Sequence, residues 1–193
     1  MKIPLRFQIT EFDCGTVALQ NAISYLFDRE NVPPELIRAV SIYTVNCYDD
    51  VGNIVDSGVT HDTMEKMTTW ITEYVNHNSF GITCTHLEKG QVDINAIKMC
   101  LSEGGCAFVK TFQNGDSFAV VTKIDDNFVY LWDAYYQGET YYDNEKQVTI
   151  IFNKPFHYNR QVSLRRFLSD SANDFALGPI ENRDCVLFNK IKL

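Results

Sequence analysis

Apolar side chains at Ala18, Leu19, Ala22, Ile23 and Leu26 recur at helical spacing and form one stripe, with Asp13 ahead of them as an N-cap residue. Pro33-Pro34 opens a second stretch of this kind through Leu36, Ile37, Val40 and Tyr43, because proline is tolerated in the first turn of a helix. Residues 48–59 read as a loop or short hairpin, and a third helix follows with Met64, Met67 and Ile71 along one face. These methionines suit core filling, where an unbranched thioether adapts to irregular gaps. A fourth helix starts at Asp93, buries Ile94, Ile97 and Leu101, and stops at Gly104-Gly105.

From Cys106 onward the apolar period falls from about 3.6 to about 2, the change expected on passing from helix to strand. Segments 106–112, 117–124, 127–133, 148–153 and 184–189 are short, rich in Val, Ile, Phe and Tyr, and bounded by turn residues. Asp125-Asp126-Asn127 joins two of them as a tight hairpin. Residues 154–183 are less regular, with a short helix around Leu164–Leu168. Helices first and strands later predict an α+β fold, N-terminal helices packed on a mainly antiparallel sheet. The whole chain, 1–193, reads as one domain with a helical half to about residue 104 and a sheet half from about 105.

Composition adds limits to this picture. At 45% apolar residues the chain can bury a sizeable core without an external staple. A net charge of −8 argues against nucleic acid or an anionic membrane as the principal partner, since both attract Lys and Arg surfaces. Met-Lys-Ile-Pro-Leu-Arg-Phe-Gln at the start lacks an apolar signal core, and no stretch reaches membrane-spanning length. The expectation is a cytoplasmic protein that does not insert in a membrane. Cys14, Cys47, Cys84, Cys100, Cys106 and Cys185 are scattered without a CxxC pair, so neither a disulfide framework nor a metal or other cofactor is expected.

Candidate chemistry gathers at Cys14, the first residue of the strongest predicted helix. Unpaired N–H groups and the macrodipole at a helix start favour a thiolate over a thiol. Gly15 leaves room for backbone to approach the sulfur, and Gln8 stands six residues earlier on the entering segment. Its amide is placed to donate to the oxyanion that acyl transfer generates.

The string Gln8-Ile-Thr-Glu-Phe-Asp-Cys-Gly15, followed by a helix rich in small residues, resembles the signature of the bacteriocin-processing cysteine peptidases, family thirty-nine of that class. These cut double-glycine leader peptides, are often fused to export transporters, and have the papain-like fold. The resemblance implies Cys14 as nucleophile and Gln8 as oxyanion donor. A later run, Gly115 to Ala134, is similar to the family's histidine-to-aspartate segment, with Asp133 as the orienting acid and Ala134 in place of the usual proline. Ser117 stands where the family has its catalytic histidine. No transporter segment is present, so coupling to export would run through a separate chain.

Strand pairing supports the same alignment without reference to the family. A turn at Asp125–Asn127 places Ser117 opposite or diagonal to Asp133, within side-chain reach. A hydroxyl cannot act as a general base near neutral pH, so the Cys14 thiol is expected near the free value of about 8.5. His61 and His157 are the candidates to replace the base. His77, ending the third helix, reads as a surface residue, and His86 as a strand residue. Phe12, Asp13, Gly15, Phe118, Trp132 and Tyr135 make up the expected substrate-binding set, with Tyr136 nearby.

Three readings follow. In the first, peptidase activity is impaired and the groove recognises a peptide substrate or partner protein. The second is an active cysteine peptidase that cleaves a leader or other peptide with a base from elsewhere. The third is a thiol-dependent acyltransferase whose amine acceptor supplies its own base.

Overall fold

The computed structural model describes residues 1–44, 59–78 and 80–191. Helix α1 (Cys14–Leu26) is followed by α2 (Pro34–Thr44) and α3 (His61–Asn78). Strand β1 (Ile82–Glu88) then precedes α4 (Ile94–Ser102). The hairpin strands β2 (Cys106–Phe112), β3 (Asp116–Ile124) and β4 (Phe128–Asp133) come next, then β5 (Val148–Ile150) and β6 (Arg160–Ser163). The short helix α5 (Leu164–Phe167) and strand β7 (Asp184–Lys190) close the chain. Most of the expected loop or hairpin at 48–59 lies outside the described residues.

Among the described residues seven strands form one sheet in the order β1-β7-β2-β3-β4-β6-β5, and every neighbouring pair is antiparallel. The α+β class and the antiparallel sheet are as the periodicity predicts. One difference concerns the helices: they cover both faces. Leu19 and Ile23 of α1, Leu36 of α2 and Met64, Met67 and Ile71 of α3 pack on Phe108, Val120 and Val186. Ile97 of α4 and Phe167 of α5 pack on the opposite face, against Val109, Val121 and Leu131. Central strands buried on both sides lose the apolar/polar alternation, which is why β2 reads as a nearly unbroken apolar run.

Strand β6 was not expected. It slots between β4 and β5 with Arg160 at its start, and that side chain is fully buried. The β3–β4 turn does form at the predicted place. Asp125 Oδ1 accepts from the N–H groups of Asn127 and Phe128, at 3.0 and 2.8 Å.

The N-terminal segment is fixed across the end of the sheet. Buried Asn21 of α1 exchanges two hydrogen bonds of 2.8 Å with the Arg6 backbone, and Trp132 Nε1 donates to the Arg6 carbonyl at 3.0 Å. Gln8 N–H donates to Ala134 O at 2.8 Å. These bonds hold Gln8, the start of α1 and the end of β4 together. No helix among the described residues is long and apolar enough to cross a membrane.

Candidate functional site

Cys14 opens α1 at the edge of an open cavity of about 860 Å³, within the size range of small-molecule and peptide sites. Gln8, Phe12, Ser117, Phe118 and Tyr135 line the same space. Gly15 is required where it stands. A Cβ there would lie 2.6 Å from Val59 Cβ and 3.3 Å from the Phe118 ring, so only glycine lets the helix start pack against these side chains. Asp13 takes the N-cap position but its side chain makes no capping bond.

Burial pushes the Cys14 thiol above its ordinary pKa. The N–H groups of Phe118 and Gly15 and the Ser117 hydroxyl pull it back, and the Asp133 carboxylate pushes up again. Ser117 therefore favours the thiolate from the place where the resemblance expects an imidazole. The β3–β4 register pairs Ala119 with Asp133, so Ser117 is diagonal to Asp133 on the same face.

Two of the expected roles are not in place. The Gln8 amide donates to Thr10 O at 2.9 Å and Glu11 O at 3.4 Å, while its buried Oε1 has no partner. The amide nitrogen is thus engaged by the protein's own loop carbonyls. Asp133 is bound on all sides. Its carboxylate accepts from Arg160 Nη2 and Tyr135 N–H at 2.9 Å each and from Gln113 Nε2 at 3.4 Å. Burial pushes this carboxyl up, and Arg160 above all draws it back. Arg160 also donates to Tyr135 O at 2.8 Å and Gln137 Oε1 at 3.2 Å, which makes the pair a brace between β4, β6 and the 135–137 segment.

Trp132 also departs from expectation. It points into the core beneath α1 and is 3% exposed, because successive side chains on a strand face opposite ways and Asp133 takes the other side. Phe12 lies exposed at the cavity rim, and Phe118 forms part of its wall while stacked on Phe108 at 5.0 Å. Tyr136 packs edge-on against Phe7.

The histidines separate clearly. His157 lies at another depression with Tyr25 and Lys2, and His77 is exposed at the end of α3. His61, the first residue of α3, lines the Cys14 cavity. Its Nδ1 is 2.7 Å from Asp184 Oδ2, and His86 Nε2 is 2.5 Å from Asp184 Oδ1. The bond to Asp184 raises the His86 imidazole above its ordinary value. Asp184 and the pairing of the two histidines across it were missed from sequence. The signal present was His86-x-Glu88, which puts two polar side chains on one face of β1 opposite Asp184.

Acidic groups outnumber basic ones around the cavity: Glu11, Glu88, Asp116, Glu181 and Asp184 stand against Lys89 and Lys110. Lys110 is engaged by Asp116 at 2.7 Å. No family model, curated protein or solved structure matches the chain.

Proposed function

We propose that the chain is a papain-like relative of the cysteine peptidases that binds a peptide in the Cys14 cavity and does not hydrolyse it efficiently. The observation that carries this reading is the environment of Cys14. It occupies a helix start, yet the β3 groups that act on it are the Phe118 N–H and the Ser117 hydroxyl, with no imidazole among them, and burial holds the sulfur as a thiol. The Gln8 amide bonded to its own loop and the Arg160-bound Asp133 support the same reading, because each lacks the free group that peptide hydrolysis would use. The acidic lining favours a peptide carrying Lys or Arg, or a free amino terminus.

Alkylation of Cys14 as a function of pH tests the proposal. The native thiol reacts slowly at pH 7, and its rate climbs about tenfold per pH unit up to its elevated pKa. Ser117→His places an imidazole beside the sulfur and brings a large gain at neutral pH. Full reactivity of the native thiol at pH 6 refutes the reading. Cys14→Ala keeps its peptide affinity if the cavity serves for binding.

One observation favours the active-peptidase alternative. His61 shares the cavity with Cys14 and has its Nδ1 held by a carboxylate, as a general base requires. On that reading His61→Gln abolishes turnover of a peptide. On ours there is no turnover to abolish.

A further inference from the structure

The cluster formed by His61, His86 and Asp184 carries an inference independent of the peptide reading. Three elements bring it together. β1 supplies His86, β7 supplies Asp184 and the first turn of α3 supplies His61. Strand register sets Glu88 directly opposite Asp184, and His86 lies two residues earlier on the same face. Imidazole nitrogens and a carboxylate oxygen, one ligand atom from each residue, lie within 4.8 Å of one another. The Asp184 side chain is 5% exposed, His86 14% and His61 49%, so the set runs from the interior out to the cavity wall.

We infer that His61, His86 and Asp184 form a binding site for a first-row divalent cation of the zinc type, with a fourth coordination position open to the Cys14 cavity. Two imidazoles and a carboxylate are borderline ligands that suit zinc and its neighbours, and three protein ligands leave one position for water or an incoming ligand. Ligands about 2.0–2.2 Å from a tetrahedral ion stand roughly 3.3 Å apart. The His–Asp contacts of 2.7 and 2.5 Å therefore need open by less than about 1 Å to admit the ion. The cation takes the place of the hydrogen bonds between the two imidazoles and Asp184, and each neutral ring keeps its proton on the nitrogen facing away from the ion.

Glu88 completes the arrangement. When His61 binds through Nδ1, its proton moves to Nε2, and Glu88 Oε2 lies 3.7 Å from that nitrogen. A carboxylate on the far nitrogen is the usual outer partner of a metal-bound histidine, fixing its tautomer and ring orientation. The ligands stand on two paired strands and a helix start, which keeps them nearly in place before the ion arrives.

The test uses the full chain stripped with a chelator and titrated with Zn²⁺ by calorimetry, then with Co²⁺ by visible absorption. Expected are one equivalent of Zn²⁺, a rise in melting temperature on loading and a tetrahedral cobalt spectrum without a sulfur charge-transfer band. His61→Gln, at a half-exposed position that leaves the fold intact by circular dichroism, weakens binding by more than the roughly 10–100-fold that loss of an outer partner brings. His77→Gln, at the exposed end of α3, and Cys14→Ser bind as tightly as the native chain. Absence of a stoichiometric site overturns the inference, as does equal affinity in His61→Gln. A sulfur band that vanishes in Cys14→Ser overturns it too, by placing the ion on the thiol.

Discussion

Asp133 at the end of β4 and Asp184 at the start of β7 are buried to nearly the same depth, 1% and 3% exposed, and are neutralised by different means. Asp133 faces Arg160, a guanidinium that is always charged, in a closed pair where both side chains are 1% exposed. Asp184 faces two imidazoles, which can gain or lose protons or exchange them for a metal, and one of these borders a cavity. A fixed cation makes the first carboxylate a brace. Titratable partners leave the second free for chemistry.

The largest effect expected from this contrast is at Arg160. Arg160→Met leaves Asp133 buried without its cation and lowers unfolding stability by about 3–5 kcal/mol in urea titration. Asp133→Asn added to Arg160→Met regains a large part of that loss, since no charge is then stranded. The loss also depends on pH. Without Arg160, burial is opposed only by the hydrogen bonds from Tyr135 N–H and Gln113, and the folded pKa of Asp133 rises further. Below an ordinary carboxyl pKa of about 3.9 the group is protonated in both folded and unfolded chains, so the variant keeps its stability there. Stability falls as pH rises through the elevated folded value. A deficit equal at pH 4 and pH 7 rejects this account of the brace.

Asp184→Asn is expected to be milder, at about 1–3 kcal/mol in the metal-free chain. Its partners are imidazoles that can change tautomer or lose a proton, so no permanent charge is stranded when the carboxylate goes. A loss as large as that of Arg160→Met would make Asp184 a brace as well and erase the distinction between the two sites.

The difference between these carboxylates also explains what the sequence could disclose. The helix that starts at Cys14 and the β2–β3–β4 meander were legible because each depends on local periodicity or turn residues, whereas Asp133, singled out through the resemblance as an orienting acid, is held by Arg160. Arg160 was not legible: a fully buried charged residue at the start of a strand makes sense only beside the carboxylate that neutralises it. Strand β6 was missed for that reason. The second cluster lay further out of reach, since His61 and His86 stand 123 and 98 residues from Asp184 and no spacing joins them. Strand alternation, by contrast, is a local signal that the sequence does carry. It forbids Trp132 and Asp133 from facing one site, and the structure puts Trp132 in the core.

The smallest expected effect decides which carboxylate, if either, governs the thiol. Ser117 is diagonal to Asp133, and its hydroxyl favours the Cys14 thiolate. Removing that hydroxyl in Ser117→Ala deletes one weak donor, so the thiol pKa rises slightly and alkylation at pH 8.5 slows by less than about tenfold, the equivalent of one neutral hydrogen bond. His61→Gln in metal-free protein acts on the Asp184 side of the cavity and leaves the same rate unchanged, because a thiol already held protonated by burial takes no help from that imidazole. A large slowing in His61→Gln would reverse the assignment. Asp184 would then be the orienting acid of a working base, and the Asp133 side would serve the fold alone.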